Sequence, residues 1–592
     1  MKRSVLIILL TGFLSQSVVA EVVKQELAAR YAANLMGVSS LPVSDGNTRR
    51  TTSSDGVTAD PEYYVFNNPS GGWVIISAED RVTPVIGYSD KGSFDVSDLP
   101  SNIKWWMDGV AESIDKVRDL NLEAPVSVRN AWRALSAGNR APSSDSKVLE
   151  TALWNQGDPY NLYCPYVNGE NLRPMTGCVA TAISIIMRYH QWPERGHGQI
   201  GGYTTEQYPT YITAYSLDNH VYDWANMPLT DAGSKNASWT DEQKRQVAQL
   251  MHDNGVMIEM DYSYEGSGAA SMLVAAAIKK HMSYAESAIY LNRSLYNLDE
   301  WFSLIKKEID SDRPVLYSGH GEESGGHAFV CDGYDPAGSM LHINWGWGGS
   351  GNGFFAMDMA VSKDMEFPLR QAAVVGIVPD TATAVSREIE PFLLEAANGL
   401  YGLMPYEWVD MKKGSEPRFL LAWLMGNGTY EGEAEFKVCL MDKDGIVKQE
   451  GWALKKTFSK DDSNGYYYLT DKTALETTPE LTDYFQVFAK TEGGIWKPLK
   501  GNRDVQPDAE GVYCGITPDP IIIIPDNCTA GQKIKPLLTK CFQAVTKVSW
   551  SLNGKPVEGS EMTLKSGTNV IRADLEYYDG TETTIIRSVT TE

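Results

Sequence analysis

A thiol, an imidazole and two amides stand along this chain in an order that suits acyl transfer. Cys178 follows Gly177 and opens the run Cys178-Val179-Ala180-Thr181-Ala182-Ile183-Ser184-Ile185-Ile186-Met187-Arg188-Tyr189-His190, with Pro193 just beyond. Val179, Ala182, Ile183, Ile186 and His190 fall on one helical face, so the spacing predicts a helix that begins at the cysteine and is stopped by the proline. A sulphur at a helix N-terminus meets unpaired N–H groups and the positive end of the macrodipole, which favour the thiolate. Gly177 leaves room for a peptide backbone to approach. A cysteine so placed is a nucleophile only if a base stands within hydrogen-bond reach and a third group orients that base.

Three apolar runs supply candidates. Arg313 to Gly319 reads as a strand, and Gly325-Gly326-His327-Ala328-Phe329-Val330-Cys331-Asp332-Gly333-Tyr334 as a second with His327 at its start. Leu341-His342-Ile343-Asn344-Trp345-Gly346-Trp347 is a third, and its end delivers an amide and two indoles. Antiparallel pairing of these strands would bring His327 to Asn344, with His327 as base, Asn344 as its orienting group and Trp345 or Trp347 shielding the pair from water. Upstream, Gln156 offers a side-chain amide to an oxyanion beside the backbone N–H of Cys178. Gln, Cys, His and Asn-Trp follow one another in the order of a papain-type layout.

The rest of the chain must carry these elements. Its 592 residues are enough for about three to five domains. A formal net charge of −24 repels nucleic-acid phosphates and anionic lipid, so no nucleic-acid partner is expected. Seven scattered cysteines without a C-x-x-C pair exclude a zinc ribbon or a thioredoxin motif, and neither cofactor nor metal is expected. Lys2 and Arg3 precede an apolar stretch from Val5 to Leu14, with Val18, Val19 and Ala20 at a plausible cleavage point, so residues 1–20 read as a secretory signal. The mature protein is expected outside the cell, free or at its surface, with no segment inserted in the membrane.

Residues 21–147 read as an α+β unit. Tyr63 to Asn67 and Gly72 to Ser77 form a hairpin around Asn68-Pro69-Ser70-Gly71, and Ile103, Trp106, Met107, Val110, Ile114 and Val117 mark a long helix. The small, polar run from Ser136 to Asp145 reads as an exposed linker open to proteolysis. Residues 148–380 hold all eight histidines and every candidate catalytic group. Short β-rich runs after Asp380 predict two β-sandwich modules, 381–517 and 518–592, the second Ig-like, with Pro518 to Pro525 at their boundary.

The segments G-C-V-A-T-A, G-G-H-A-F-V-x-D-G-Y and H-I-N-W-G-W-G-G, with Gln156 ahead and Gln371-Ala372-Ala373-Val374-Val375-Gly376-Ile377 behind, resemble the streptopain family of secreted cysteine peptidases. The unit 21–147, with Trp73-Val74-Ile75-Ile76-Ser77-Ala78 and Leu99-Pro100, looks like that family's inhibitory prodomain. This resemblance implies a papain-like two-lobed α+β peptidase fold, hydrolysis of protein or peptide substrates, and a zymogen inhibited by its own prodomain until the linker is cut. It makes Cys178 the nucleophile, His327 the general base and acid, Gln156 an oxyanion donor, and Asn344 with Trp345 the support of the histidine. Ile185 departs from the family, where glutamine is usual. In the prodomain, Trp105 and Trp106 are large enough to fill a substrate cleft and hold His327 away from Cys178. Three rival readings are a transglutaminase-like acyl transferase, an adhesin on a non-catalytic peptidase scaffold, and a metal site made of His320, His327, Cys331 and Asp332.

Overall fold

The structure is a computed structural model that describes residues 22–43, 48–49, 60–138, 145–167, 172–235, 237–321, 325–357 and 370–382. Beyond these it describes 392–394, 396–397, 400–405, 411–426, 432–458, 465–469, 473–501, 512–517, 519–525, 527–541, 545–557, 559–577 and 582–591. The expected signal at 1–20 and the middle of the expected linker lie outside the described residues. Among the described residues no helix is long and apolar enough to cross a membrane.

The chain divides into two compact units. One takes the described residues up to Asp98 and from Ala111 to Gly138; the other takes Leu99 to Val110 and everything described from Asp145 onward.

In the first unit, α1 (Gln25–Leu35) packs on a sheet of β1 (Thr48–Arg49), β2 (Tyr63–Asn67), β3 (Trp73–Ser77) and β4 (Val85–Ser89). The expected hairpin forms, with Tyr63 opposite Ser77 and Asn67 opposite Trp73. Its turn is closed by the Gly71 N–H donating to the Asn68 carbonyl. β3 is buried at every position, which explains its unbroken apolar sequence. A long helix, α2 (Ser101–Asp119), starts in the second unit and ends in the first; α3 (Val126–Ser136) follows. Near the end of α2, Arg118 joins Arg81 on the carboxylate of Glu79, which is 2% exposed, with N–O distances of 3.1 and 2.7 Å. Burial works to raise the Glu79 pKa, but the hydrogen bonds and charges of the two guanidiniums win and hold it below the ordinary value.

The second unit opens with β5 (Lys147–Val148) and α4 (Cys178–His190). Short pairs β6 (Gln199–Ile200) with β9 (Tyr215–Ser216), and β7 (Tyr203–Thr204) with β8 (Tyr211–Ile212), lead to α5 (Asp241–Met257) and α6 (Leu273–His281). There follow β10 (Ile289–Asn292), α7 (Leu298–Asp310), β11 (Val315–Gly321), β12 (Gly325–Asp335), β13 (Met340–Asn344), β14 (Gly353–Ala356) and β15 (Arg370–Val375). These strands form an antiparallel sheet in the order β14-β13-β12-β11-β15-β10. The helices and the sheet are the two parts expected of a papain-like arrangement.

The helix at the cysteine forms as expected, but its burial differs. Every residue from Val179 to Met187 is buried, not only one face. α4 is therefore the central helix of the unit, packed on β12 and β11 as well as on α5. The two hydroxyls in its buried stretch are satisfied: Ser184 Oγ donates to the Ala180 carbonyl at 2.7 Å and accepts from Asn254 Nδ2 of α5 at 2.8 Å, and Thr181 Oγ1 donates to the Gly177 carbonyl at 3.0 Å. The helix ends at Gln191, in the left-handed region at φ 49°, two residues before Pro193.

After Ala382 the regular structure among the described residues is all strand, as the sequence predicts. Strands 400–405, 419–426 and 465–469 belong to one sheet, and 432–441, 447–458 and 484–491 to another. Both contribute to one core around Phe419, Phe436, Trp452 and Phe485. A smaller sheet of 545–552, 555–557, 567–577 and 582–591 has its own core of Ile534, Met562, Ile571 and Leu575.

Glu79 gives a stability test for the first unit. Glu79→Gln removes the buried carboxylate shared by two partly buried guanidiniums, leaving Arg118 only the more exposed Asp115 at 3.7 Å, and should destabilise that unit by about 3 kcal/mol. In the wild type the contribution of Glu79 is present above the ordinary glutamate range and is lost as pH falls through its lowered native value. Urea unfolding followed by tryptophan fluorescence at neutral pH should show the early transition of the variant moved to lower urea.

Candidate active site

Cys178 is the first residue of α4, and Gly177 before it has φ 89°. A Cβ on Gly177 would lie 2.6 Å from Met260 Sδ and 3.0 Å from the Ser267 carbonyl. The glycine is thus required by close packing against Met260 and Ser267 and by its backbone angle. The half-buried Cys178 Sγ accepts the backbone N–H of Ala328 at 3.4 Å. Ala328 is the residue after His327, so this bond joins the helix N-terminus to the histidine strand at the sulphur. Burial pushes the Cys178 thiol above its ordinary pKa, against the pull of the N–H groups of Ala328, Val179 and Cys178 itself.

His327 sits near the start of β12, directly opposite Gly319 of β11. Its ring is half-buried, and burial pulls its pKa down to about 4. What covers it is Trp105, whose indole meets the imidazole edge-on with ring centroids 5.2 Å apart. Gly319 makes this possible, because a Cβ there would lie 2.7 Å from Trp105 Cη2. Trp106 packs on Phe329 and Trp345 at centroid distances of 6.0 and 6.3 Å, and Asn102 Nδ2 donates to the Trp345 carbonyl at 2.7 Å. Asn102, Trp105 and Trp106 all lie in the segment Leu99–Val110 and are nearly or wholly buried. Burial thus disfavours the charged form of both groups of the candidate pair, raising the thiol and lowering the imidazole.

Asn344 lies at the end of β13 opposite Val330, three residues along from His327. Among the described residues it makes no hydrogen bond to the imidazole. Its Nδ2 donates to Thr151 Oγ1 at 2.9 Å and to the Ala152 carbonyl at 3.0 Å, while its Oδ1 accepts the Gly346 N–H at 3.1 Å. The amide therefore fastens the Thr151–Ala152 segment to the end of β13. Trp345 is 1% exposed and packs on Phe329, with centroids 4.7 Å apart; its Nε1 donates to the Gly351 carbonyl at 3.2 Å. Phe329 follows His327 by two positions on β12, so Trp345 backs the face of the strand that bears the histidine.

Gln156 is buried, and its backbone carbonyl accepts the Thr176 N–H at 3.1 Å. That bond brings the Gln156 segment beside the residues that lead into Cys178. The four residues of the rival metal site are not assembled. Asp332 is engaged by Thr151 and His342, the Cys331 thiol is buried against the Gly333 carbonyl, and among the described residues no group of three or more ligand side chains is arranged to hold a metal. Sequence reasoning missed Ala328, Asn102 and Thr151, which act through a backbone N–H, an amide to a carbonyl and a single hydroxyl. None of these leaves a spacing signal.

Comparison with known proteins gives two family matches. Residues 154–355 match the description "Peptidase C10 family", and residues 19–114 match "Spi protease inhibitor". The thiol protease/hemagglutinin PrtT of Porphyromonas gingivalis is 33% identical over 356 residues, a match that covers 58% of this chain and 39% of that protein. Streptopain of Streptococcus pyogenes serotype M28 is 34% identical over 342 residues, covering 53% of this chain and 80% of the relative. Among solved structures, a fragment of prointerpain A from Prevotella intermedia shares 27% identity, covers 56% of this chain and 98% of its own, and has a TM-score of 0.43. By its match to most of the length of streptopain, this chain belongs to the peptidase C10 family.

Proposed function

We propose that this protein is a secreted cysteine endopeptidase made as a zymogen, in which Cys178 attacks the peptide carbonyl and His327 serves as general base and then as general acid. The observation that carries the reading is the bond from the Ala328 N–H to Cys178 Sγ, which holds the helix N-terminus against the start of the histidine strand. The Cys178 thiolate forms an acyl-enzyme with the carbonyl carbon while His327 protonates the departing amine; water, deprotonated by His327, then releases the acid. The backbone N–H of Cys178 and the side-chain amide of Gln156 stabilise the oxyanion. Asn344 and Trp345 support the histidine strand, Asn344 by fixing the neighbouring chain and Trp345 by packing on Phe329.

Latency follows from the segment Leu99–Val110. The Trp105 indole over His327 excludes water and keeps the imidazole uncharged, so the thiolate–imidazolium pair that a cysteine peptidase needs is not formed. Cutting the linker between about residues 136 and 150 would free this segment, hydrate His327 and let the pair ionise. The β modules after Asp380 we read as spacers or binding modules outside the catalytic step, the last of them Ig-like.

Cys178→Ala should lower peptide hydrolysis by about a thousandfold or more and leave the precursor uncut, since it removes the only covalent route. His327→Ala should be nearly as severe, and Asn344→Ala milder because that residue does not react. Turnover of a fluorogenic peptide with band analysis of the precursor checks all three, and retained activity in Cys178→Ala would end the peptidase reading.

Acid should loosen the lock. The covered His327 titrates at about 4 against an ordinary 6.5, so the covered state binds fewer protons than the released one at intermediate pH. The stabilisation is complete above the ordinary value and is lost as pH falls toward the lowered one. In uncut Cys178→Ala protein, hydrogen-exchange protection of residues 99–110 should therefore fall between about pH 6.5 and 4. The same window should be flat in a Cys178→Ala/His327→Leu chain; equal loss of protection in both would refute the mechanism.

A further inference from the structure

β12 does not run evenly against β13. Cys331 pairs with Ile343, but Gly333 pairs with His342, which leaves Asp332 as an extra residue at a bulge. A bulge re-aims a side chain, and here the re-aimed group is a carboxylate 2% exposed. Asp332 Oδ2 accepts the Thr151 hydroxyl at 2.5 Å, and Asp332 Oδ1 accepts from His342 Nδ1 at 2.5 Å. The Thr151 oxygen in turn accepts from Asn344 Nδ2 at 2.9 Å. The donor sequence runs one way, from Asn344 to Thr151 to Asp332, and both carboxylate oxygens of Asp332 are engaged. At the same place β5 joins the sheet, with Val148 opposite Gly333 and the Leu149 N–H donating to the Asp332 carbonyl at 2.8 Å. A Cβ on Gly333 would lie 2.5 Å from the Lys147 carbonyl, so the close approach of this segment depends on glycine.

Three stretches of chain meet at that point. One leads from Thr151 to Gln156, one runs back along β12 from Asp332 to His327, and one is the end of β13 with Asn344 and Trp345. We propose that Thr151, Asp332 and His342 form a positioning network that fixes these three stretches against one another and so sets the geometry of the oxyanion donor and the general base. The proposal rests on the peptidase reading and assigns Thr151, Asp332 and His342 a role that touches neither substrate nor sulphur. The hydroxyl of Thr151 is the joint, because its one oxygen both accepts from Asn344 and donates to Asp332. Misplacement of a general base or oxyanion donor affects the chemical step and not substrate affinity, which gives the network a signature that loss of stability alone lacks.

The test uses the full-length chain after activation, with a fluorogenic peptide as substrate. Thr151→Val keeps the volume and removes the hydroxyl; it should lower kcat by about tenfold or more, with KM changed by less than about twofold. Thr151→Ser restores the hydroxyl and should bring kcat back to within about twofold of the wild type. If Thr151→Val does not fold, His342→Phe carries the test: it leaves the Thr151–Asn344 bond in place, strips one donor from Asp332, and should reduce kcat severalfold, with His342→Gln restoring it. An active wild type whose folded Thr151→Val or His342→Phe variant keeps full kcat overturns the network. Equal loss in Thr151→Val and Thr151→Ser also overturns it, because it assigns the effect to shape. A processed wild type with no thiol-sensitive activity removes the peptidase reading and the proposal together.

Discussion

The burial of α4 on all sides is the constraint on which the rest of the site depends. A helix exposed on one flank can shift or fray at its first residue, whereas one enclosed by α5, β11 and β12 cannot move without opening the core. Cys178 inherits this fixity because it is the first residue of the helix, and the Ala328 N–H then refers the histidine strand to the sulphur. The packing of Met260 under Gly177 completes the enclosure. Cys178 is therefore placed first by hydrocarbon contact, and the Ala328 N–H is a polar contact made on that packed frame.

Placement and charge are set by different features of the site. Cys178 and His327 are brought to the same end of the sheet, where burial disfavours the charged form of each. The thiol is raised by burial and the imidazole lowered by it, so one change in solvation acts on both in opposite senses.

Much of this was legible in the sequence. The start and stop of α4, the hairpin at Asn68 to Gly71 and the histidine at a strand start all follow from local rules, and the structure carries each of them. The importance of Trp105 and Trp106 was legible as bulk in a prodomain, though not which ring each would meet. The partners of Asn344 were not legible, because even pairing of β12 and β13 carries no trace of the bulge at Asp332; two-residue alternation counts positions and an extra residue resets the count. The all-round burial of α4 was hidden by Thr181 and Ser184, which read as polar until their hydroxyls are seen to bond within the helix and to Asn254.

The seat of Trp105 is made by an omission: Gly319, facing His327 across the strands, has no side chain where the indole edge lies. The contacts of Asn102, Trp105 and Trp106 with His327, Phe329 and Trp345 include apolar area and a neutral hydrogen bond from Asn102. Salt screens charges but not burial, and kosmotropic salts strengthen burial. The apolar part of these contacts is therefore one that screening does not weaken and that kosmotropic salts strengthen.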